Sequence, residues 1–309
     1  MRLASMDIGT NSVKLLVAEV EDQQIKKILL DYLVITRLGE GIEKNHEILP
    51  EAMDRTLQVI SDFQNRAKQL GVEDTIAIST SAMREAKNRD VFIQKVMDQT
   101  GVNLRVITGD EEAEIAFMGV CSDSELQSKN AIIVDVGGGS TEFVIGQGGI
   151  IENKFSVNIG CVRLTEEFIH SDPVNPADLQ TIIQHVISAL YTHLSKISAA
   201  DRDLIGIGGT MTTIASIHQN MEGYALSDIH KYILQKDQVF RVLTHLRRMT
   251  LEERRNVPGL SPQRADVIVA GIAIFSTIME ILRIQEIVVS ARGLRYGAIL
   301  LKAKHLSIN

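Results

Sequence analysis

Residues 132–146 read IIVDVGGGSTEFVIG, with an aspartate, three consecutive glycines, a serine and a threonine set between two runs of strand-forming residues. Residues 3–17 read LASMDIGTNSVKLLV. Aligning Asp7 with Asp135 gives the same string in both places: D-apolar-G-x-x-S-x-x, then three apolar residues. A strand, a glycine turn and a second strand fit each copy. At 309 residues the chain is long enough for two domains, each with its own core.

Glycine adds no β-carbon, so a turn built from it lets backbone N–H groups and a hydroxyl approach whatever lies over it. Phosphate oxygens suit such a nest. Gly137, Gly138, Gly139 and Ser140 would line one such turn, and Gly9, Thr10, Asn11 and Ser12 the other. Asp7 and Asp135, each at the end of the preceding strand, are candidates to hold a hydrated Mg²⁺, a hard cation that binds through one or two carboxylates and the phosphate itself. Plain hairpins without a ligand are the other reading, and the matched Asp and Ser in two copies weigh against it. GIGGT at 206–210 is a third glycine element, at a strand end before a helix, where unpaired N–H groups and the macrodipole favour an anion. Tight helix–strand packing explains it equally well. Met211 breaks GxGxxG, and GxxxxGK[ST] occurs nowhere, so neither a dinucleotide fingerprint nor a P-loop is present.

Around these elements strands and helices alternate, which makes the chain α/β. Strands are expected at about 3–7, 13–20, 25–37, 75–80 and 103–108, with an amphipathic helix from Pro50 to Leu70 carrying Met53, Leu57, Ile60 and Phe63 on one face. A helix is expected over 110–120. The second half restarts at 131 with three strands through Asn158. Helices at 160–169 and 176–197, the strand DLIGIG and a helix through GTMTTIASI follow. The end reads helix 262–283, strand 286–290 and a helix from Leu294. The polar stretch SDSELQSKN at 122–130 is the expected hinge, though its composition suits a surface loop as well.

Two further stretches carry chemistry. TSAMREAKN at 80–88 puts Arg84 just after a strand, where a guanidinium can grip a phosphate through two parallel bonds or lie solvated on a helix. TGDEEAEIAF supplies Asp110, Glu111, Glu112 and Glu114, more carboxylate than one helix N-terminus needs. A carboxylate held near a bound phosphate can accept a proton from an attacking water. The eight histidines form no metal-ligand spacing, and RRMTLEERR at 247–255, with its interspersed glutamates, reads as a solvated helix face.

Composition narrows the partners. A net charge of −7 and the absence of tryptophan argue against nucleic acid, so a polyanion must be gathered locally. Cys121 and Cys161 form neither a disulfide framework nor a zinc site, which fits a cytoplasmic location. MRLASMDIG lacks a signal-peptide core, and the apolar run Val267 to Met279 is too short to span a bilayer, so no membrane association is expected.

The stretches DIGTNSVKLLV, TSAMREAKN, TGDEEAEIAFMGV, DVGGGSTEF and IGCVRLTE, with GIGGT and GLRYG, resemble in collinear order the exopolyphosphatase and guanosine-pentaphosphate phosphatase family of the actin/hexokinase/Hsp70 superfamily. The resemblance covers about residues 3–304. It implies two ribonuclease-H-like (actin-like ATPase) domains facing a cleft, residues 1–123 and 124–293, with a helix at 294–309 returning to the first. It implies Mg²⁺-dependent hydrolysis of the terminal phosphoanhydride of polyphosphate or guanosine pentaphosphate, and a homodimer. Within it, Glu112 is the base for water, Arg84 grips the terminal phosphate, and Asp135 and Glu142 organise the metal and the water with Asp7 in support. Asn11, Ser12, Gly137, Gly138, Ser140, Gly208 and Gly209 would bind phosphate oxygens. The chain departs from the family's usual closing motif at Arg292 and Tyr296, which receive no catalytic role, and ends before the C-terminal extension of longer members. An ATP-dependent kinase or a nucleotide-binding scaffold without turnover would share the two hairpins.

Overall fold

The computed structural model describes residues 1–221, 223 and 226–306. Two compact units emerge: Met1–Gln127 with the segment from Arg292 on, and Ser128–Ala291.

The first unit is built on a five-stranded sheet of β1 (Arg2–Ile8), β2 (Ser12–Glu21), β3 (Gln24–Ile35), β4 (Asp74–Ser79) and β5 (Leu104–Val106), in the order β3-β2-β1-β4-β5. Short turns join β1, β2 and β3 as antiparallel neighbours, whereas β4 and β5 run parallel to β1 and need helical crossovers. The crossover helix Pro50–Gln69 starts with proline at its first position and buries Met53, Leu57, Ile60 and Phe63. Side chains alternate across the sheet, so Ala4, Met6 and Ile8 join the core under that helix. Leu3 faces the other side, where it packs with Leu16, Ala18 and Val20 on Tyr296, Ile299 and Ala303 of the closing helix Leu294–Leu306. That helix lies against the helix Gly109–Val120 so closely that a β-carbon at Gly119 would overlap the Gly293 carbonyl, and one at Gly297 the Ile115 carbonyl. The glycines of GLRYG thus serve packing. Residues 307–309 of the expected closing helix lie outside the described residues.

The second unit repeats the plan. Its sheet holds β6 (Asn130–Val136), β7 (Thr141–Gln147), β8 (Ile150–Val157), β9 (Asp203–Ile207), β10 (Ile233–Gln235) and β11 (Glu286–Val289), in the order β10-β11-β9-β6-β7-β8. Read from β8, an antiparallel meander β8-β7-β6 is followed by β9 and β11, parallel to β6, as β3-β2-β1 is followed by β4 and β5. The apolar run near 267–279 is the buried helix Ile268–Leu282, and no helix among the described residues is long and apolar enough to cross a membrane.

The expected elements are present, with some differences. The strand at 103–108 shrinks to β5, and the helix at 262–283 begins with a separate 3₁₀ turn, Pro262–Arg264. The helices Arg89–Thr100 and Lys236–Arg247 and the short β10 were not anticipated. RRMTLEERR is not a solvated face throughout: Arg254 is buried, donates to the carbonyls of Leu246 and Met249, and faces Asp172 at 3.6 Å. A guanidinium satisfies several carbonyls at a helix end, which the sequence pattern alone did not show.

Candidate active site

The hairpin β6–β7 turns at Gly137–Ser140, where Gly137 N donates to Ser140 O at 2.9 Å. The carbonyls of its three glycines are all taken from one side. Cys161 N donates to Gly137 O, Val162 N and Arg163 N to Gly138 O, and Arg163 Nε to Gly139 O. A trans peptide sets its N–H opposite its C=O, so the amides of Gly138, Gly139 and Ser140 point away from the helix Cys161–Phe168. Three successive N–H groups on one side make an anion nest. Gly160 allows this close approach, because a β-carbon there would overlap Gly138 O.

Pairing in this hairpin sets Asp135 directly opposite Glu142. Both side chains therefore share one face of the sheet, their β-carbons about 4.5–5.5 Å apart. Glu142 is 2% exposed, and its Oε1 accepts from Ser156 Oγ at 2.8 Å. Like charges directly opposite one another destabilise a sheet unless something compensates. The third glycine element closes on the same spot. Asp135 pairs with Ile207 of β9, and Gly208 follows with φ of +82°, where a β-carbon would overlap Asp135 Oδ1. Gly208 begins the helix Gly208–His218, and the Arg264 guanidinium lies against Gly209 and donates to Thr213 Oγ1 at 3.3 Å. The second unit thus brings together Asp135, Glu142, Gly137, Gly138, Ser140, Gly208 and Gly209. It adds Gly160 and Arg264, which the sequence reading passed over; Arg264 lies 55 positions from Gly209 and joins it only through the fold.

In the first unit the hairpin β1–β2 turns at Gly9–Ser12 with the same bond, Gly9 N to Ser12 O at 2.9 Å. Here a loop replaces the helix: Thr36 N and Arg37 N donate to Asn11 O, and Gly39 N to Thr10 O. The amides of Asn11 and Ser12 are turned away from that loop by the same peptide geometry. Opposite Asp7, however, the register places Lys14, and Lys14 Nζ bonds Asp7 Oδ2 at 2.7 Å. Arg84 and Glu112 come together as an ion pair, Arg84 Nη1 to Glu112 Oε2 at 2.6 Å, with Arg84 also on the Ile107 carbonyl. Thr108 caps the helix that carries Glu112, and its side chain accepts from Glu111 N while Glu111 returns to Thr108 N. The acids of TGDEEAEIAF therefore divide: Glu111 caps and Glu112 pairs with Arg84.

Among the described residues no three His, Cys, Asp or Glu side chains cluster as a complete metal site. Mg²⁺ needs no such cage, since substrate oxygens and water fill most of its octahedron. Asp135 and Glu142, opposed across one strand pair, fit it; Asp7, bonded to an ammonium, fits it less well. Burial pushes the Cys161 thiol up to about 11, so it stays protonated near neutrality and is no nucleophile.

The family model for Ppx/GppA phosphatases matches residues 16–306. The chain is 34% identical over 291 residues to exopolyphosphatase 2 of Mycobacterium tuberculosis, covering 91% of each. It is 36% identical over 307 residues to a bifunctional 3-dehydroquinate synthase/phosphatase of Fusobacterium nucleatum, and spans 46% of that longer protein. The crystal structure of the Ppx/GppA family member of Aquifex aeolicus superposes with a TM-score of 0.83 at 31% identity, covering 100% of this chain and 99% of the other. Two amide-lined glycine hairpins on two like sheets, an acid pair at one and an Arg–Glu pair in the unit of the other, agree with these matches along nearly the whole length: the chain belongs to the Ppx/GppA phosphatase family and is built from two actin-like domains.

Proposed function

We propose that this phosphatase hydrolyses the terminal phosphoanhydride of inorganic polyphosphate, of guanosine pentaphosphate, or of both, and that it requires Mg²⁺. The observation that carries the reading is the Asp135–Glu142 pair beside three co-directed amides: a site for a divalent cation next to a site for an oligoanion. Mg²⁺ bound there would neutralise charge on the terminal phosphate, with Asp135 and Glu142 as its holders and Asp7 in support.

The chain's own residues do the rest. The amides of Gly138 and Ser140 and of Asn11 and Ser12, with the start of the Gly208–Gly209 helix, bind phosphate oxygens. Arg84, held beside Glu112, grips the terminal phosphate, and Glu112 accepts a proton from the attacking water. The water oxygen bonds to phosphorus, the bridging P–O bond breaks, its electron pair leaves with the shortened chain, and orthophosphate departs. Catalysis is positioning and charge neutralisation, because phosphoryl transfer leaves the protein little covalent work. Glu142, buried and bonded by Ser156, also orients the water.

A cytoplasmic homodimer is part of the same reading, and sedimentation of the purified chain checks the dimer. The test of function is orthophosphate release from polyphosphates of several lengths and from guanosine pentaphosphate, with Mg²⁺. Release from at least one is expected. None from either, with the protein folded, overturns the proposal.

A further inference from the structure

In the second unit the helix Lys236–Arg247 buries Val239, Val242, Leu243 and Leu246. Its opposite stripe faces solvent: Asp237, Phe240, Arg241, Thr244, His245 and then Arg248, at the three- and four-residue steps of one helix face. Phe240, 37% exposed, lines two clefts on this stripe and stands between them. The cleft at the helix start, about 460 Å³, is lined by Gln235, Asp237, Glu280 and Gln285. Lys236 fixes its walls, with its N donating to the Gln285 carbonyl at 2.7 Å and its Nζ paired with Glu280 at 2.8 Å. The cleft toward the helix end, about 330 Å³, is lined by Arg241, Thr244, His245 and Arg248. Both volumes fall in the range of small-molecule sites, about 300–1,000 Å³.

Basic side chains at the end of a helix complement its dipole, which accounts for Arg248 without a ligand. It accounts neither for Arg241, well inside the helix, nor for a phenylalanine ring left between two clefts. Arg241 pairs with Asp237 at 2.9 Å, yet the two side chains are 69% and 65% exposed. An ion pair so open to water is worth little, so a phosphate can recruit this guanidinium at small loss. In a chain of net charge −7, two arginines on one cleft are the kind of local cluster that an anion requires.

We propose that this stripe is a second ligand site, for a purine nucleoside triphosphate: the base stacks on Phe240 and the phosphates lie on Arg241 and Arg248. The clefts differ as the two ends of such a ligand do. The carboxylates of Asp237 and Glu280 accept from the N–H groups of a base, and the guanidinium groups bind phosphate oxygens through parallel N–H bonds. Thr244 and His245 add donors beside the phosphates. Inorganic polyphosphate matches the basic cleft alone and has nothing to place on the ring. None of these residues takes part in the hydrolytic step above, and the site does not depend on it.

The chain has no tryptophan, so Phe240→Trp installs a single indole between the clefts, whose fluorescence reports stacking. The β,γ-imido analogues of ATP and GTP, added without Mg²⁺, are expected to quench it saturably. Inorganic tripolyphosphate should leave the signal nearly unchanged while competing with the nucleotide. Adding Arg241→Ala and Arg248→Ala in the same background is expected to weaken the nucleotide about 10-fold or more, the loss of two charge-assisted contacts. In the unsubstituted protein the analogues should slow hydrogen exchange across residues 235–248. Thermal melts confirm that each variant is folded. No saturable quenching in folded Phe240→Trp overturns the proposal. So does equal quenching by tripolyphosphate, an affinity unchanged without the two arginines, or hydrogen exchange across 235–248 that the analogues leave as it was.

Discussion

The two glycine hairpins share a backbone and differ in charge. Each turns over four residues, from Gly9 to Ser12 and from Gly137 to Ser140, closes with an N-to-O bond of 2.9 Å, and has its carbonyls gathered by a neighbouring segment. Seven residues after its aspartate, the first has Lys14 and the second Glu142. The register makes those residues the cross-strand partners of Asp7 and Asp135. The first hairpin therefore pairs its aspartate with an ammonium, whereas the second carries two acids side by side. A repeated backbone device thus differs in charge through one side chain per copy.

The sharpest way to break this contrast is to make the copies alike. Glu142→Lys gives the second hairpin the Asp–Lys pairing of the first, and kcat/KM for phosphate release is expected to fall on the order of 10³-fold. Activity close to the wild type would show that the acid pair does not serve the reaction.

Next in size is the base proposed for the first unit. Glu112→Gln keeps the shape and the bond to Arg84 but loses the proton acceptor, and kcat is expected to drop about 10²-fold or more while the melting curve hardly moves. An unchanged kcat removes Glu112 from the mechanism.

Gly208→Ala tests a feature of the second hairpin, a glycine whose β-carbon would overlap the aspartate. With φ of +82° and Asp135 Oδ1 in the way, the methyl is expected to cost about 2 kcal/mol in denaturant unfolding and to displace the carboxylate. Gly9→Ala, at ordinary φ with 3.3 Å to the nearest atom, should cost less.

The smallest effect concerns the helix that carries Glu112. The Thr108 backbone N–H, helped by the Thr108 hydroxyl and Arg105, holds the Glu111 carboxyl below its ordinary value. A lowered carboxyl stabilises the fold above its unfolded value and loses that contribution as pH falls through the lowered one. Glu111→Gln should therefore cost no more than about 1 kcal/mol at neutral pH and nothing in strong acid, a difference that thermal melts between neutral and acid pH resolve.

The parts legible in the sequence are local ones. A strand, an aspartate and a glycine turn announce themselves within fifteen residues, and Arg84 stands out just after a strand; Glu112 is singled out among its neighbouring carboxylates by the family resemblance alone. The parts that were not legible depend on which segments meet. Gly160 needs the knowledge that the turn's carbonyls end on the next helix, and Arg264 reaches Gly209 across more than fifty residues. The burial of Arg254 follows from where the preceding helix leaves its carbonyls. The partnership of Asp7 with Lys14 is the exception. The two residues lie symmetrically about the turn, as do Asp135 and Glu142, so hairpin register applied to the sequence would have separated the two copies' roles.

The contrast between the hairpins meets its most direct test in Mn²⁺ titrations of Asp135→Asn and Asp7→Asn side by side. Loss of the acid that faces Glu142 is expected to weaken binding about 100-fold or more, and loss of the acid that faces Lys14 about 10-fold or less. Equal losses, or a greater loss in Asp7→Asn, would contradict the assignment of the cation to the second hairpin.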